Sequence, residues 1–160
     1  MRKLYFLLAV VALVSGCEKP TSVELGKDRS LVFFVSGSGR LSKLVVYGPE
    51  QEQLGDPEDS TYALWEIVAS EGDGPRVSEL HSISYGVVPA GYKQVIPRDD
   101  KPPAGLMENR RYFYRLITMN APHASGYFEV KDGRPTKVKG PCFELRNGSW
   151  NRIECPDSGM

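Results

Sequence analysis

Hydrophobic and polar residues alternate in short runs along most of this chain, and the runs are rich in β-branched and aromatic residues. An alternation with a period of two is typical of strands that bury one face on a sheet. No stretch keeps the spacing of an amphipathic helix over three turns, and the mixed segment 106–117 is interpreted as a strand because its aromatic residues favour a pleated surface. The predicted strands are 31–36, 41–47, 61–69, 77–85, 92–96, 111–119, 126–131 and 136–138, followed by a terminal hairpin.

Gly and Pro cluster between these runs, for example at 37–39, 72–75 and 132–135. Such residues set the turns that join consecutive strands. Many short strands joined in this way predict an all-β fold, namely an antiparallel β-sandwich with an extra C-terminal hairpin. A small β-barrel is the alternative arrangement of the same strands.

The first residues have the pattern of an export signal. A cationic start, Met1-Arg2-Lys3, is followed by an apolar run over 4–14 and then by small residues. The apolar run is too short for a transmembrane helix, which needs about 20 such residues. We therefore expect residues 1–16 to be a signal peptide.

The end of this signal, Val14-Ser15-Gly16-Cys17, resembles the lipobox of bacterial lipoproteins. The resemblance implies that Cys17 is lipidated and anchors the mature chain to a membrane. Glu18 stands where retention in the inner membrane usually uses Asp, which implies the periplasmic face of the outer membrane. The alternative is an ordinary secretory signal. Residues 17–30 are predicted to be the lipidated cysteine and a polar, flexible tether, and 31–160 a single β domain.

A second, local pattern lies around Tyr112. Leu106 precedes Tyr112 by six residues, which resembles the tyrosine corner of fibronectin type III and related Ig-like domains. Glu108-Asn109 stands where that family often has Pro-Gly, and Asn109 can adopt the left-handed conformation that Gly would supply. By the same resemblance, Trp65 takes the place of the buried tryptophan of such sandwiches.

Two cysteines, Cys142 and Cys155, remain besides Cys17, and a pair in an exported protein favours a disulfide. The alternation between them is interrupted at 147–149, which predicts a hairpin. A turn centred on 148–149 places Cys142 opposite Cys155, whereas a turn centred on 147–148 places it opposite Ile153. We expect the first register, because its close pair of Cα atoms permits the disulfide.

Charge and motifs narrow the chemistry. The chain has 20 Lys+Arg and 20 Asp+Glu, and this balance argues against a nucleic-acid partner, which needs a clustered cationic face. The sequence contains no P-loop, no His-Glu-x-x-His and no Gly-x-Ser-x-Gly. His81 and His123 lie on separate segments, and the two cysteines have no nearby histidine to complete a metal site. We expect no catalytic residue, no metal and no cofactor.

One segment combines aromatic area with stiff turns. Tyr85 and Tyr92 flank a turn rich in Gly and Pro, and a Pro-rich loop with Arg98 and Lys101 follows. Tyrosine offers a large contact area at a small entropic cost, so we expect the surface formed by 85–105 to bind a partner through these four residues. The alternative is that both tyrosines pack against the sheet edge while Gly and Pro only set turns.

Together these features favour a non-catalytic binding or accessory module, anchored by lipid in the bacterial envelope, whose partner is another envelope protein. The alternative is an inhibitor or immunity protein that blocks an envelope-acting enzyme, and no sequence feature separates the two. An enzyme would need convergent acid, base or metal groups, which the sequence does not assemble.

Overall fold

The computed structural model describes residues 19–49, 60–140, 142–146 and 149–153, with backbone pairing alone for the last two ranges. A 3-10 turn, Ser60–Tyr62, and a one-turn helix α1, Val77–Leu80, accompany the strands. The strands are β1 Ser22–Leu25, β2 Val32–Ser36, β3 Arg40–Tyr47, β4 Ala63–Ala69, β5 Ser82–Ser84, β6 Tyr92–Ile96, β7 Arg111–Met119, β8 Ala124–Lys131, β9 Arg134–Val138, β10 Cys142–Arg146 and β11 Ser149–Ile153.

The strands form two antiparallel sheets and a separate hairpin. The smaller sheet has the order β1-β2-β5, and the larger has the order β6-β4-β3-β7-β8-β9. Neither sheet closes on itself, so the predicted all-β sandwich is confirmed and the barrel alternative is wrong.

The core lies between the two sheets, because alternate residues of each strand point inward. The ring of Phe33 on β2 contacts that of Tyr114 on β7 edge-on, with centroids 5.3 Å apart, and this contact joins the sheets. Trp65 on β4 is completely buried. Other buried core residues are Leu41, Leu44, Val46, Ile67, Ile83, Tyr112, Leu116 and Phe128.

The segment 77–85, predicted as one strand, begins instead with helix α1 and forms a strand only over β5. The backbone N–H of Arg76 donates to the carboxylate of Glu79 at 3.3 Å, a local bond that favours a first helical turn over a strand. Val77 is the buried residue of this turn, so the helical turn places its side chain in the core as a strand would have done. His81, expected within a strand, ends the helix with a positive φ of 52°.

The flexible tether predicted before residue 31 is wrong for Ser22–Leu25. These residues form β1, which pairs with β2 so that Val23 lies opposite Val35. Val23 is buried, and the backbone N–H of Gly26 donates to the carbonyl of Val32 at 2.8 Å. The segment was missed because a four-residue strand with only two apolar residues carries little sequence signal. In the structure its backbone hydrogen-bonding groups are satisfied by pairing with β2.

The C-terminal hairpin forms, but the predicted register is wrong. Cys142 pairs with Ile153 and Arg146 with Ser149, which is the register of the alternative given in the sequence analysis. An Asn-Gly pair is the strongest two-residue turn signal, and it outweighs the register that a disulfide would favour. Cys155 lies outside the described residues, and its disulfide with Cys142 stays a prediction.

The segment 106–117 becomes a strand only from Arg111 onward. Within the ranges that the structure describes, no helix is both long and apolar enough to cross a membrane.

Candidate binding cleft

A cleft of about 480 Å³ opens at one end of the sandwich. Its walls come from the loop before β2, the turn after β5, the loop before β7 and the β8–β9 hairpin, so four separate segments meet there. The lining residues are Arg29, Ser30, Leu31, Tyr85, Gly86, Pro102, Pro103, Ala104, Gly105, Leu106, Glu108, Val130, Gly133 and Pro135. Only the two ends of the predicted surface 85–105, namely 85–86 and 102–105, therefore line this concave site.

Tyr85 is fixed in the cleft wall by three contacts. Its backbone N–H donates to the carbonyl of Leu31 at 2.9 Å, and its ring meets Trp65 edge-on with centroids 5.4 Å apart. Its hydroxyl donates to the carbonyl of Ala104 at 2.9 Å. Burial, and to a smaller extent the neighbouring Tyr112, raises the pKa of Tyr85 above its usual value. Tyr85 is therefore a rigid, neutral part of the wall, with its hydroxyl already bonded.

The facing wall is the proline-rich segment 102–106. Gly86 has a positive φ of 78°, and a Cβ there would come within 3.1 Å of the Pro103 ring. A glycine is thus needed for the turn after β5 to approach this segment closely. Two prolines restrict the backbone of the wall, so little conformational entropy remains to be lost when a ligand binds.

The tyrosine corner supports the floor of the cleft. The backbone N–H of Met107 donates to the hydroxyl oxygen of Tyr112 at 2.6 Å, and Tyr112 is 1% exposed. Asn109 adopts a positive φ of 56°, as the sequence predicted. These contacts hold Leu106 against the core and place Glu108, whose carboxylate accepts the backbone N–H of Gly133 at 3.1 Å.

Two charged side chains of opposite sign line the cleft. Arg29 is exposed, and its guanidinium forms no ion pair or hydrogen bond with any residue in the described part of the chain. Glu108 is also exposed, but part of its hydrogen-bonding capacity is used by Gly133. Arg29 therefore offers a ligand a guanidinium donor with no partner in the described part of the chain, whereas Glu108 can only accept.

Arg98 and Lys101 lie on a neighbouring loop and do not line the cleft. Gln94 holds this loop, because its side-chain amide donates to the carbonyls of Pro97 at 2.9 Å and Lys101 at 2.8 Å. Its oxygen accepts the indole N–H of Trp65 at 3.0 Å. Both cations are exposed, and the Lys101 ammonium lies 3.8 Å from the Asp99 carboxylate.

The structure places Tyr92 in the core rather than on a binding surface. It is 7% exposed, and its hydroxyl donates to the carbonyl of Leu41 at 2.6 Å. Burial raises the pKa of Tyr92 above its usual value. A partner cannot reach this ring in the folded protein, so the packing alternative describes Tyr92 and we remove it from the candidate site.

The two histidines lie outside the cleft lining. The Nδ1 atom of His123 accepts the backbone N–H of Thr118 at 3.1 Å, which is a turn contact between β7 and β8. Among the described residues, no group of three or more His, Cys, Asp or Glu side chains could hold a metal ion.

Sequence reasoning missed Arg29, Glu108 and the β8–β9 hairpin as parts of the site. Arg29 was assigned to the tether, and the hairpin lies far from the 85–105 segment along the chain. The only sequence signal for their proximity was the tyrosine corner, which places Leu106 and Glu108 near the beginning of β7.

Fold and site together define an antiparallel β-sandwich with a binding-sized cleft at one end. Comparisons with protein-family models, with curated proteins and with solved structures find no match to this chain.

Proposed function

We propose that this protein is a non-catalytic binding module of the bacterial envelope, and that it receives a short segment of another envelope protein in the cleft. The observation that supports this most directly is the cleft itself, whose walls are stiffened by prolines and by the bonded Tyr85. Preformed concavities that present a few well-placed polar groups are the usual form of a binding site.

The size and charge of the cleft narrow the kind of segment it would take. A volume of about 480 Å³ suits a few residues of an extended peptide rather than a folded domain. Pro103, Leu106 and Val130 supply apolar contact, and Arg29 supplies a guanidinium that has no partner among the described residues. A guanidinium pairs best with a carboxylate, so we propose a segment with apolar residues and at least one acidic side chain.

The anchor is part of the same proposal. The lipobox residues support lipidation of Cys17, and Glu18 supports the periplasmic face of the outer membrane. Cys17 and Glu18 both lie outside the described residues. Multiple acyl chains bring about 0.8 kcal/mol per buried methylene, enough to hold a domain stably on a bilayer.

The concave shape favours an accessory module over an inhibitor. An inhibitor that plugs an enzyme usually presents a projecting loop, whereas the predicted surface of this chain forms much of the wall of a recess. The site therefore suits a protein that receives a segment of its partner.

Photo-crosslinking in living cells tests the proposal. A benzophenone side chain at Ala104 or Gly133, both in the cleft lining, is expected to give one discrete adduct with an envelope protein. The same group at Lys137, which is exposed on β9 outside the lining, should not give it. Absence of an adduct specific to the cleft positions would contradict binding there.

A matched pair of charge reversals tests the role of Arg29. Arg29→Glu should lower the yield of the Ala104 adduct, because a carboxylate would then repel the acidic segment. Lys27→Glu makes the same change in charge on an exposed residue of the same loop that does not line the cleft, so its yield should remain near that of the wild type. Equal losses in both variants would remove Arg29 from the site. Replacing His81 and His123 by Gln should leave the adduct unchanged.

A further inference from the structure

We propose that the sandwich stands on the membrane with the end opposite the cleft against the lipid surface, so that the cleft opens away from the bilayer. We call that opposite end, formed by residues 19–21, 37–40 and 119–123, the anchored end. The inference rests on the proposed lipid anchor at Cys17 and adds an orientation that the anchor alone does not require.

The chain joins the fold at Lys19. The carbonyl of Lys19 accepts the backbone N–H of Ser38 at 3.2 Å and the hydroxyl of Ser38 at 3.0 Å. Two residues later, Thr21 is 7% exposed, and its hydroxyl donates to that of Thr118 at 3.3 Å. The chain is therefore held by the sandwich from Lys19 onward.

Very little chain separates this point from the lipid. Cys17 lies two residues before Lys19. Two residues span at most about 7 Å even when fully extended. Acyl chains inserted in the bilayer hold Cys17 at its surface, so Lys19 must lie within about one headgroup layer of the lipid. A flexible linker of a dozen residues would allow the sandwich many orientations on the membrane, but a spacing of two residues does not.

The anchored end and the cleft lie at opposite ends of the strands. β7 runs from Arg111, beside the cleft, to Met119 at the anchored end. Eight steps of about 3.4 Å separate these residues by about 27 Å. Gly39 lies against Ala121, since a Cβ at Gly39 would meet the Ala121 side chain, so the loops of the anchored end lie side by side. The cleft is therefore carried away from the lipid by the full length of the sandwich.

The side chains of the anchored end suit a headgroup layer. Met119 is 43% exposed there, and Lys19 and Arg40 are exposed cations. Long cationic side chains can place their stems along apolar surface and their charges among phosphates. The loop 70–76 lies at the same end, because the Arg40 guanidinium donates to the carbonyl of Gly74 at 2.8 Å, and it adds the carboxylates of Glu71 and Asp73. The covalent tether, rather than net charge, therefore sets the orientation.

Fluorescence quenching of the lipidated full-length protein in vesicles of phosphatidylethanolamine and phosphatidylglycerol tests the orientation. The chain offers a matched pair of exposed methionines, Met119 at the anchored end and Met107 at the cleft end, which are 43% and 54% exposed. Each is replaced in turn by p-azidophenylalanine and coupled to the same dye. A quencher attached to lipid headgroups should quench the dye at position 119 several-fold more than the dye at position 107.

Two controls separate the anchor from the orientation. A flexible Gly/Ser linker of about 12 residues inserted after Glu18 has a root-mean-square length of about 20 Å and should abolish the difference between the two positions. Equal quenching without the linker, or stronger quenching at 107, would overturn the orientation while leaving the anchor intact. If Cys17→Ser binds the vesicles as well as the wild type does, or if neither binds, the anchor fails and the orientation fails with it.

Discussion

At the scale of single residues, two equally buried tyrosines differ in the hydrogen bonding of their hydroxyl groups. Tyr112 and Tyr114 lie two positions apart on β7, and each is 1% exposed. The hydroxyl of Tyr112 accepts the backbone N–H of Met107, whereas the hydroxyl of Tyr114 has no hydrogen-bond partner among the described residues. Burial raises the pKa of Tyr114. The hydroxyl of Tyr112 therefore holds the loop beside the cleft. The hydroxyl of Tyr114 contributes only its volume to the core.

Tyr112→Phe should therefore lower the free energy of unfolding by about 1 kcal/mol, because the backbone N–H of Met107 loses its acceptor. Tyr114→Phe is the matched control and should be neutral or slightly stabilising, since a buried hydroxyl without a partner is costly. Urea denaturation followed by circular dichroism measures both. Equal effects in the two variants would show that the Met107 bond contributes nothing specific.

Tyr92 gives a prediction at alkaline pH. Its raised pKa means that the folded protein keeps this proton above pH 10, where the unfolded chain begins to lose it. The unfolded state then binds fewer protons, so stability falls as pH rises, by about 1.4 kcal/mol per pH unit for one tyrosine. Tyr92→Phe should make the fall between pH 10 and 11.5 shallower, although it lowers stability at pH 7 by about 1 kcal/mol through loss of the Leu41 bond. An unchanged slope in thermal melts across that range would refute the prediction.

At the scale of elements, short connections position the strands through close backbone contacts. The loop between β4 and α1 approaches β3 at Gly74, which has a positive φ of 83°, and a Cβ there would clash with the carbonyl of Leu41. Gly72 in the same loop also has a positive φ, of 51°, but no atom lies within 4 Å of its Cβ position. The two glycines share a backbone conformation and differ in their surroundings.

Gly72→Ala should cost about 1 kcal/mol, because only the left-handed conformation opposes it. Gly74→Ala should cost at least about 3 kcal/mol, since the loop must also move away from β3. Thermal or urea unfolding of both variants measures the difference, which isolates the close contact from backbone preference. Similar costs would mean that the loop moves away from β3 without loss of stability.

The register of the C-terminal hairpin does not support the predicted disulfide between Cys142 and Cys155. Cys142 pairs with Ile153, so the expectation of a disulfide rests on the export signal and the cysteine count alone. Both thiols of the exported protein should resist alkylation until reduced, and Cys142→Ser should lower stability by about 3 kcal/mol in the chain-entropy model. Mass spectrometry after alkylation shows whether the two thiols are protected. Alkylation of both thiols without prior reduction would refute the disulfide.

At the scale of the whole molecule, the proposed anchor, the fold and the cleft follow one another from one end to the other. The fold holds its chain from Lys19 onward through Ser38 and Thr118. The anchor should therefore affect where the protein lies and not how stable it is.

Cys17→Ser should abolish palmitate labelling and move the protein from the membrane fraction to the soluble periplasm. Its free energy of unfolding should equal that of the wild type without its lipid, because the substituted residue precedes Lys19, where the described part of the chain begins to bond the sandwich. Sucrose-gradient fractions should place the wild type in the outer membrane. Continued labelling of the variant would refute lipidation at Cys17, and co-migration with the inner membrane would show that Glu18 does not prevent retention there.

The sequence by itself determined the class of fold, most strand positions and the tyrosine corner. Period-two alternation and turn residues are local signals, and Leu106, Asn109 and Tyr112 lie close together along the chain, so these features need no knowledge of distant contacts. Only the tertiary structure decided that Tyr92 is a core residue, that β1 belongs to the smaller sheet and that Arg29 lines the same cleft as the 102–106 segment. Each of these depends on residues far apart in sequence, whose proximity is set by sheet pairing and by the packing of one sheet on the other.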